Sequence, residues 1–247
     1  MILLSTALLY LVVQHIDIVS AEVASCLGTA DESVQIGDPR KVAVVLGCAA
    51  RAGDTHTIQK WLKEDGIGSE HLDAASDEGW RPLHEAAMGG HLSSLDLLLS
   101  HRASLNVQDN EGRFPLHWAS IAGHQSASAL LIAHGSHTQV PDSTLNLPFH
   151  GVATKGHADL AELFLQAGTP VDAQDGWQQT LLHAAVIDGH LPLIKLLLSY
   201  GAALDIPDVE GSTALQRAWT LAHGPNLAYG SVLSLLLEEA TQRGMQL

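Results

Sequence analysis

Cysteine is nearly absent from this chain of 247 residues: Cys26 and Cys48 are its only two. No CxxC pair occurs, so a thiolate zinc site is excluded on count. A single disulfide stays open for an exported chain, whereas two free thiols suit a reducing, cytoplasmic compartment, which the sequence favours. Basic charge is scarce as well, with 12 Lys and Arg against 27 Asp and Glu and a formal net charge of −15. Nucleic-acid binding needs clustered Lys and Arg, so that partner class is excluded, and anionic membrane surfaces are disfavoured for the same reason. An acidic protein suits neutral or basic partners. Aromatics make up 4% of the residues, and Leu and Ala carry the apolar load. That balance favours helices packed through small residues over a sheet-based core.

Long apolar runs are missing too. Ile2 to Val13 is an apolar stretch of 12 residues, too short for a membrane span and close to the core length of a signal peptide. "VSA" at 19–21 has the small residues of a signal cleavage site, and "VASC" at 23–26 resembles a lipoprotein box. Against both, no Lys or Arg precedes Arg40, and Gln14, His15 and Asp17 interrupt the run. Residues 1–36 are therefore read as a hydrophobic leader or an end-packing segment with a linker. A secreted or membrane-anchored chain, acting at a membrane through residues 1–26, is the rival to a cytoplasmic one; an uncertain start of the reading frame is a third reading. Catalytic signatures are lacking: there is no HExxH, GxSxG, P-loop or GxGxxG.

What the chain has instead is repetition. "RPLHEAAMGGH" at 81 returns as "FPLHWASIAGH" at 114, "LPFHGVATKGH" at 147 and "TLLHAAVIDGH" at 180. The central histidines, His84, His117, His150 and His183, are spaced by 33 residues. A second set follows a glycine each time: His91, His124, His157 and His190. Pro82 and Pro115 suit a first helical turn, where the N–H that proline lacks would be unpaired anyway. Ala86 and Ala87 allow close approach of a neighbour, and Gly90 supplies a turn that other residues reach only with strain. His91 to Ser100 reads as a second helix with Leu95, Leu98 and Leu99 on one face. Asp109, Asp142, Asp175 and Asp208 open the links to the next round, and an Asp at a turn accepts backbone N–H bonds.

This unit resembles the ankyrin repeat, over roughly residues 38 to 247. The resemblance implies an all-α ankyrin-repeat solenoid of stacked helix-turn-helix units joined by hairpin loops, in which stacked units bury one continuous core. Residues 37–247 form about six units: a degenerate cap at about 38–66, four good repeats and a C-terminal cap in which Gln216 takes the His position. Residues 67–77 read as a longer loop. Only Thr180 with His183 keeps the family's Thr–His pair. Leu145 stands where Gly112 stands one repeat earlier, so the third repeat is expected to deviate from regular hairpin geometry.

Fifteen histidines invite a metal reading. Eight of them sit at the two repeat positions, too far apart along a solenoid to share an ion, and His134 with His137 lacks a third ligand nearby in sequence. They are read as structural, bonding the backbone of the adjoining hairpin, and no cofactor is implied. The resemblance implies a non-catalytic module that binds a partner protein on a concave face. Carried onto this chain, the family's variable positions give Trp80 and Met88, Ile121, and Trp177 and Ile187 as apolar contacts. Arg113, Asn146, Lys155, Gln179 and Asp188 are the polar ones, with a polar gap at the third repeat. Trp61 fits the first cap's core, Trp80 and Trp177 are expected exposed, and Trp118 and Trp219 are open to either placement.

Overall fold

The computed structural model describes residues 39–63, 67–223 and 229–245. The leader, with Cys26, and Asp38 lie outside them. Among the described residues there are helices and no strand; the only extended pairings are isolated bridges, Gln174 with Thr180 and Pro207 with Thr213. No helix among them is long and apolar enough to cross a membrane. The residues fall into two compact units, one ending at His137 and the other beginning at Thr138.

The first unit opens with helices Pro39–Ala52 and Thr55–Leu62. Asp54 caps the second of these, accepting from Thr57 N at 3.0 Å and from the Thr57 hydroxyl at 2.6 Å. The hydroxyl bond, then the backbone bond, hold its carboxyl below the ordinary range. Cys48 is buried in the first helix. Residues 67–77, expected as loop, contain a single helical turn, Ser69–Leu72. Gly68 N donates to His71 Nδ1 at 3.2 Å and Leu72 is buried, so one apolar anchor and one capping bond order a segment with too few residues to show periodicity.

Two full repeats follow, with helix pairs Pro82–Gly89 and Leu92–Ser100, then Pro115–Ala122 and Gln125–Ala133. Each first helix starts on a proline and ends on a left-handed glycine. At Gly90 φ is +70°, and its N–H bonds the carbonyls of Ala86 and Ala87. A Cβ there would lie 2.5 Å from the His124 ring, so both the turn and the packing of the next repeat require glycine. Leu83, Ala86, Ala87, Leu95 and Leu98 form the core of one repeat, and Leu116, Ala119, Ala127 and Leu131 that of the next.

The second unit holds Ala158–Gln166, Leu181–Asp188, Leu191–Ser199, Ala214–Ala222 and Gly230–Gln242 as α-helices. Its opening segment, Pro148–Lys155, is a 3-10 helix where the other repeats have an α-helix. Phe149 and Phe164 fill the space, their rings 6.0 Å apart. The deviation expected at the third repeat thus falls in its helix, whereas its hairpin is regular. Asp142 N donates to Asn146 O at 2.9 Å and Leu145 N to Asp142 O at 3.0 Å, as Asp109 N does to Arg113 O and Gly112 N to Asp109 O at 3.0 and 3.1 Å. Leu145 meets this turn by adopting φ +64° itself. Gln178 does the same one repeat later, at φ +55°.

Candidate protein-binding surface

Each hairpin is built around its aspartate. Asp109 Oδ1 accepts from Glu111 N and Arg113 N, both at 2.9 Å. Asp142, Asp175 and Asp208 make the same pair of bonds to the residues two and four positions on. The second carboxylate oxygen separates the repeats: Asp109 Oδ2 accepts from Trp118 Nε1 at 2.8 Å, and Asp208 Oδ2 from Arg217 Nε at 2.9 Å. Burial raises the Asp208 carboxyl, but the Arg217 and turn N–H bonds outweigh it and leave it below the ordinary range.

The repeat histidines hold these hairpins to the helix before them. His84 Nδ1 accepts from Arg81 N at 3.1 Å, so the proton sits on Nε2, which donates to Arg113 O at 3.1 Å. His150 bonds Leu147 N and Ala173 O, and His183 bonds Thr180 N and Ser212 O. The Thr180 hydroxyl adds a contact of 2.9 Å to His183 Nδ1. Burial lowers the pKa of all three, that of His84 to about 4. They are neutral linkers at pH 7. No group of three or more His, Cys, Asp or Glu among the described residues is placed to hold a metal.

The second histidine of each repeat stands at the N-cap position of the second helix without a side-chain capping bond, and His124 Nε2 lies 3.0 Å from Met88 O. In the last unit this role passes to a residue that repeat alignment does not mark. Tyr229 precedes the helix Gly230–Gln242, and its hydroxyl donates to Ile187 O at 2.7 Å. The extra residues before it in sequence shift the position out of the 33-residue register. Among the described residues His157 Nε2 and His190 Nε2 are buried without a partner. For His190 the carbonyl in the matching position belongs to Thr154, inside the 3-10 helix.

The surface residues expected from sequence divide between the units. In the first, Trp80 is half-buried: its ring lies 4.4 Å from that of Trp118. Arg51 stands over Trp80 at 5.8 Å and Arg113 over Trp118 at 4.9 Å. Arg51 is paired to Glu85 at 2.9 Å and Arg113 to Glu111. Arg51, Trp80, Trp118 and Arg113, from successive repeats, thus form a run of cation and ring contacts in which the two indoles are tilted by 46°. Trp118 is 4% exposed and Met88 is 7% exposed, while Ile121 is half-buried. In the second unit Trp177 is 59% exposed, Lys155 and Asp188 are exposed, and Asn146, Gln179 and Ile187 are half-buried. Trp219 is exposed, with its ring 4.5 Å from that of His223, and Trp61 is half-buried.

A family model describing ankyrin repeats, three copies, matches residues 46–142 and again residues 149–242. No curated protein matches the chain.

Proposed function

The chain belongs to the ankyrin-repeat family, whose members are generally protein–protein interaction modules, and on that premise we propose that it is a non-catalytic module that captures a partner protein through its second unit. One observation carries this reading: the indole of Trp177 stands 59% exposed on a hairpin. Exposed Trp adds apolar surface to water and is enriched among the residues that dominate binding energies. Half-buried Ile187 and Gln179 and exposed Asp188 and Lys155 supply the mixed apolar and polar rim of an interface. Asn146 belongs to the same set. The positions named in the first unit, Trp80, Met88, Arg113 and Ile121, contribute shape more than free apolar area, because the ring contacts and the repeat core already use most of it.

Capture of interacting proteins by the intact chain and by Trp177→Ala tests this. Loss of a specifically captured protein, with an unchanged melting temperature, is the expected result. Equal capture by both chains, or a large fall in melting temperature for the variant, assigns Trp177 to the fold.

A further inference from the structure

Three consecutive hairpin tips of the second unit send bulky apolar side chains into water. Leu145 is 59% exposed, Trp177 59% and Val209 51%. The tips touch through their backbones. Val209 N donates to Trp177 O at 3.0 Å, and a Cβ on Gly176 would run into the Thr144 carbonyl oxygen and lie 3.5 Å from Leu145 Cβ. The three tips therefore lie side by side in a row, each with one exposed apolar residue.

The turn does not call for them. The corresponding tips of the first unit are Asp77, Glu78 and Gly79, and Asn110, Glu111 and Gly112, joined the same way by Asn110 N to Glu78 O at 3.3 Å. Leu145 is also unfavourable where it stands. At φ +64° a side chain with a Cβ is strained, and the burial that could offset this is missing. Strain kept without a packing gain points to a use for the side chain.

The row lies in acidic surroundings. Residues 138–247 contain eleven Asp and Glu against four Lys and Arg. Arg217 is already held by Asp208 and Glu210, and Arg243 by Glu239. Asp205, four residues before Val209 in sequence, is exposed, and Glu210, the next residue after it, is exposed although shared with Arg217. A partner surface that fits must bring bulky apolar groups for the row and positive charge for its margins.

We propose that the row Leu145, Trp177 and Val209 docks an extended segment of the partner in which large apolar residues are flanked by Lys or Arg. This rests on the reading of the chain as a protein-binding module and adds the chemistry of what it binds.

The test is a selection of random displayed peptides on the intact chain, followed by anisotropy measurements with the best peptide. Enriched peptides should pair aromatic or aliphatic residues with Lys or Arg. Trp177→Ala should weaken the best one tenfold or more, and Leu145→Ser and Val209→Ser should each weaken it measurably. All three sites are exposed, so melting curves should stay in place. Raising salt from about 50 to about 500 mM should weaken binding further, because exposed charge pairs are screened. Neutral or acidic peptides that still depend on Trp177 overturn the proposed chemistry and leave the binding reading intact. Peptides indifferent to all three substitutions, or no enrichment, overturn the row itself. Self-association that Trp177→Ala abolishes makes the occupant a second copy and also overturns the proposal. If protein capture is insensitive to Trp177 as well, both readings fall.

Discussion

Trp80 and Trp177 occupy nearby positions on the hairpins of the two units, four and six residues before a repeat histidine. Trp80 lies against Trp118, with Arg51 above it. The Trp177 ring is largely in water. The difference comes from their neighbours. Trp118 follows the histidine of the next repeat, and its N–H is fixed by Asp109, so a flat apolar surface waits where the Trp80 ring arrives. The equivalent position beside Asp208 is Arg217, a cation committed to two carboxylates. The turns differ in the same direction: Gly79 and Gly112 serve the first unit, whereas in the second Leu145 and Gln178 are forced into the left-handed region and only the last hairpin has a glycine, Gly211. The first unit uses its special side chains for stability, and the second leaves them at the surface.

The largest effect that could break this contrast is at Trp118. Trp118→Ala should cost about 3–5 kcal/mol, as expected for a buried indole, and Trp80→Ala a smaller but clear amount; denaturant titration measures both. Trp177→Ala should stay within about 0.5 kcal/mol of the parent, the range of surface changes. If Trp80→Ala proves as harmless as Trp177→Ala, the contact between the two indoles contributes nothing and the two units are alike.

The histidine linkers are what the units share, and acid should remove their contribution from both. The folded chain holds His84 neutral with a pKa of about 4, while the unfolded chain takes up its proton below the ordinary value of 6.5. The unfolded state therefore binds more protons between those values, and stability falls as pH falls through them. At about 1.4 kcal/mol per pKa unit, His84 accounts for a loss of about 3 kcal/mol. Gln216 already makes the first of the two linker bonds in the last repeat, its Oε1 accepting from Thr213 N at 2.9 Å. His84→Gln should thus flatten the pH dependence of the unfolding midpoint; an unchanged slope would mean the histidine is not held neutral.

The smallest effect concerns the turns. Leu145→Gly should raise stability by about 1 kcal/mol by relieving the left-handed leucine, and Gly112→Ala should lower it by a similar amount. Thermal unfolding of the two variants would show opposite shifts. Two shifts of the same sign would mean that Leu145 packs on something its exposure does not suggest.

The repeat was legible in the sequence because its demands are local. Pro82 and Pro115 start helices, Gly90 ends one, and the aspartates fold back on N–H groups two and four residues on, all through bonds within a few positions of chain. The phrase and the helix pairs followed from that periodicity together with the family resemblance it carries, whereas the irregular hairpin expected at Leu145 did not form: the leucine takes the left-handed turn itself. What one repeat does to the next was decided only in three dimensions. Periodicity gives no distance between Trp80 and Trp118, so their contact and the covered state of Met88 could not be read. Tyr229 stands outside the 33-residue register yet does a histidine's work, because a hydroxyl and an imidazole N–H can donate to equivalent carbonyls. The 3-10 turn at Pro148–Lys155 likewise depends on how Phe149 and Phe164 fill their layer. Local hydrogen bonding fixed the elements, and long-range packing fixed which side chains remain for a partner.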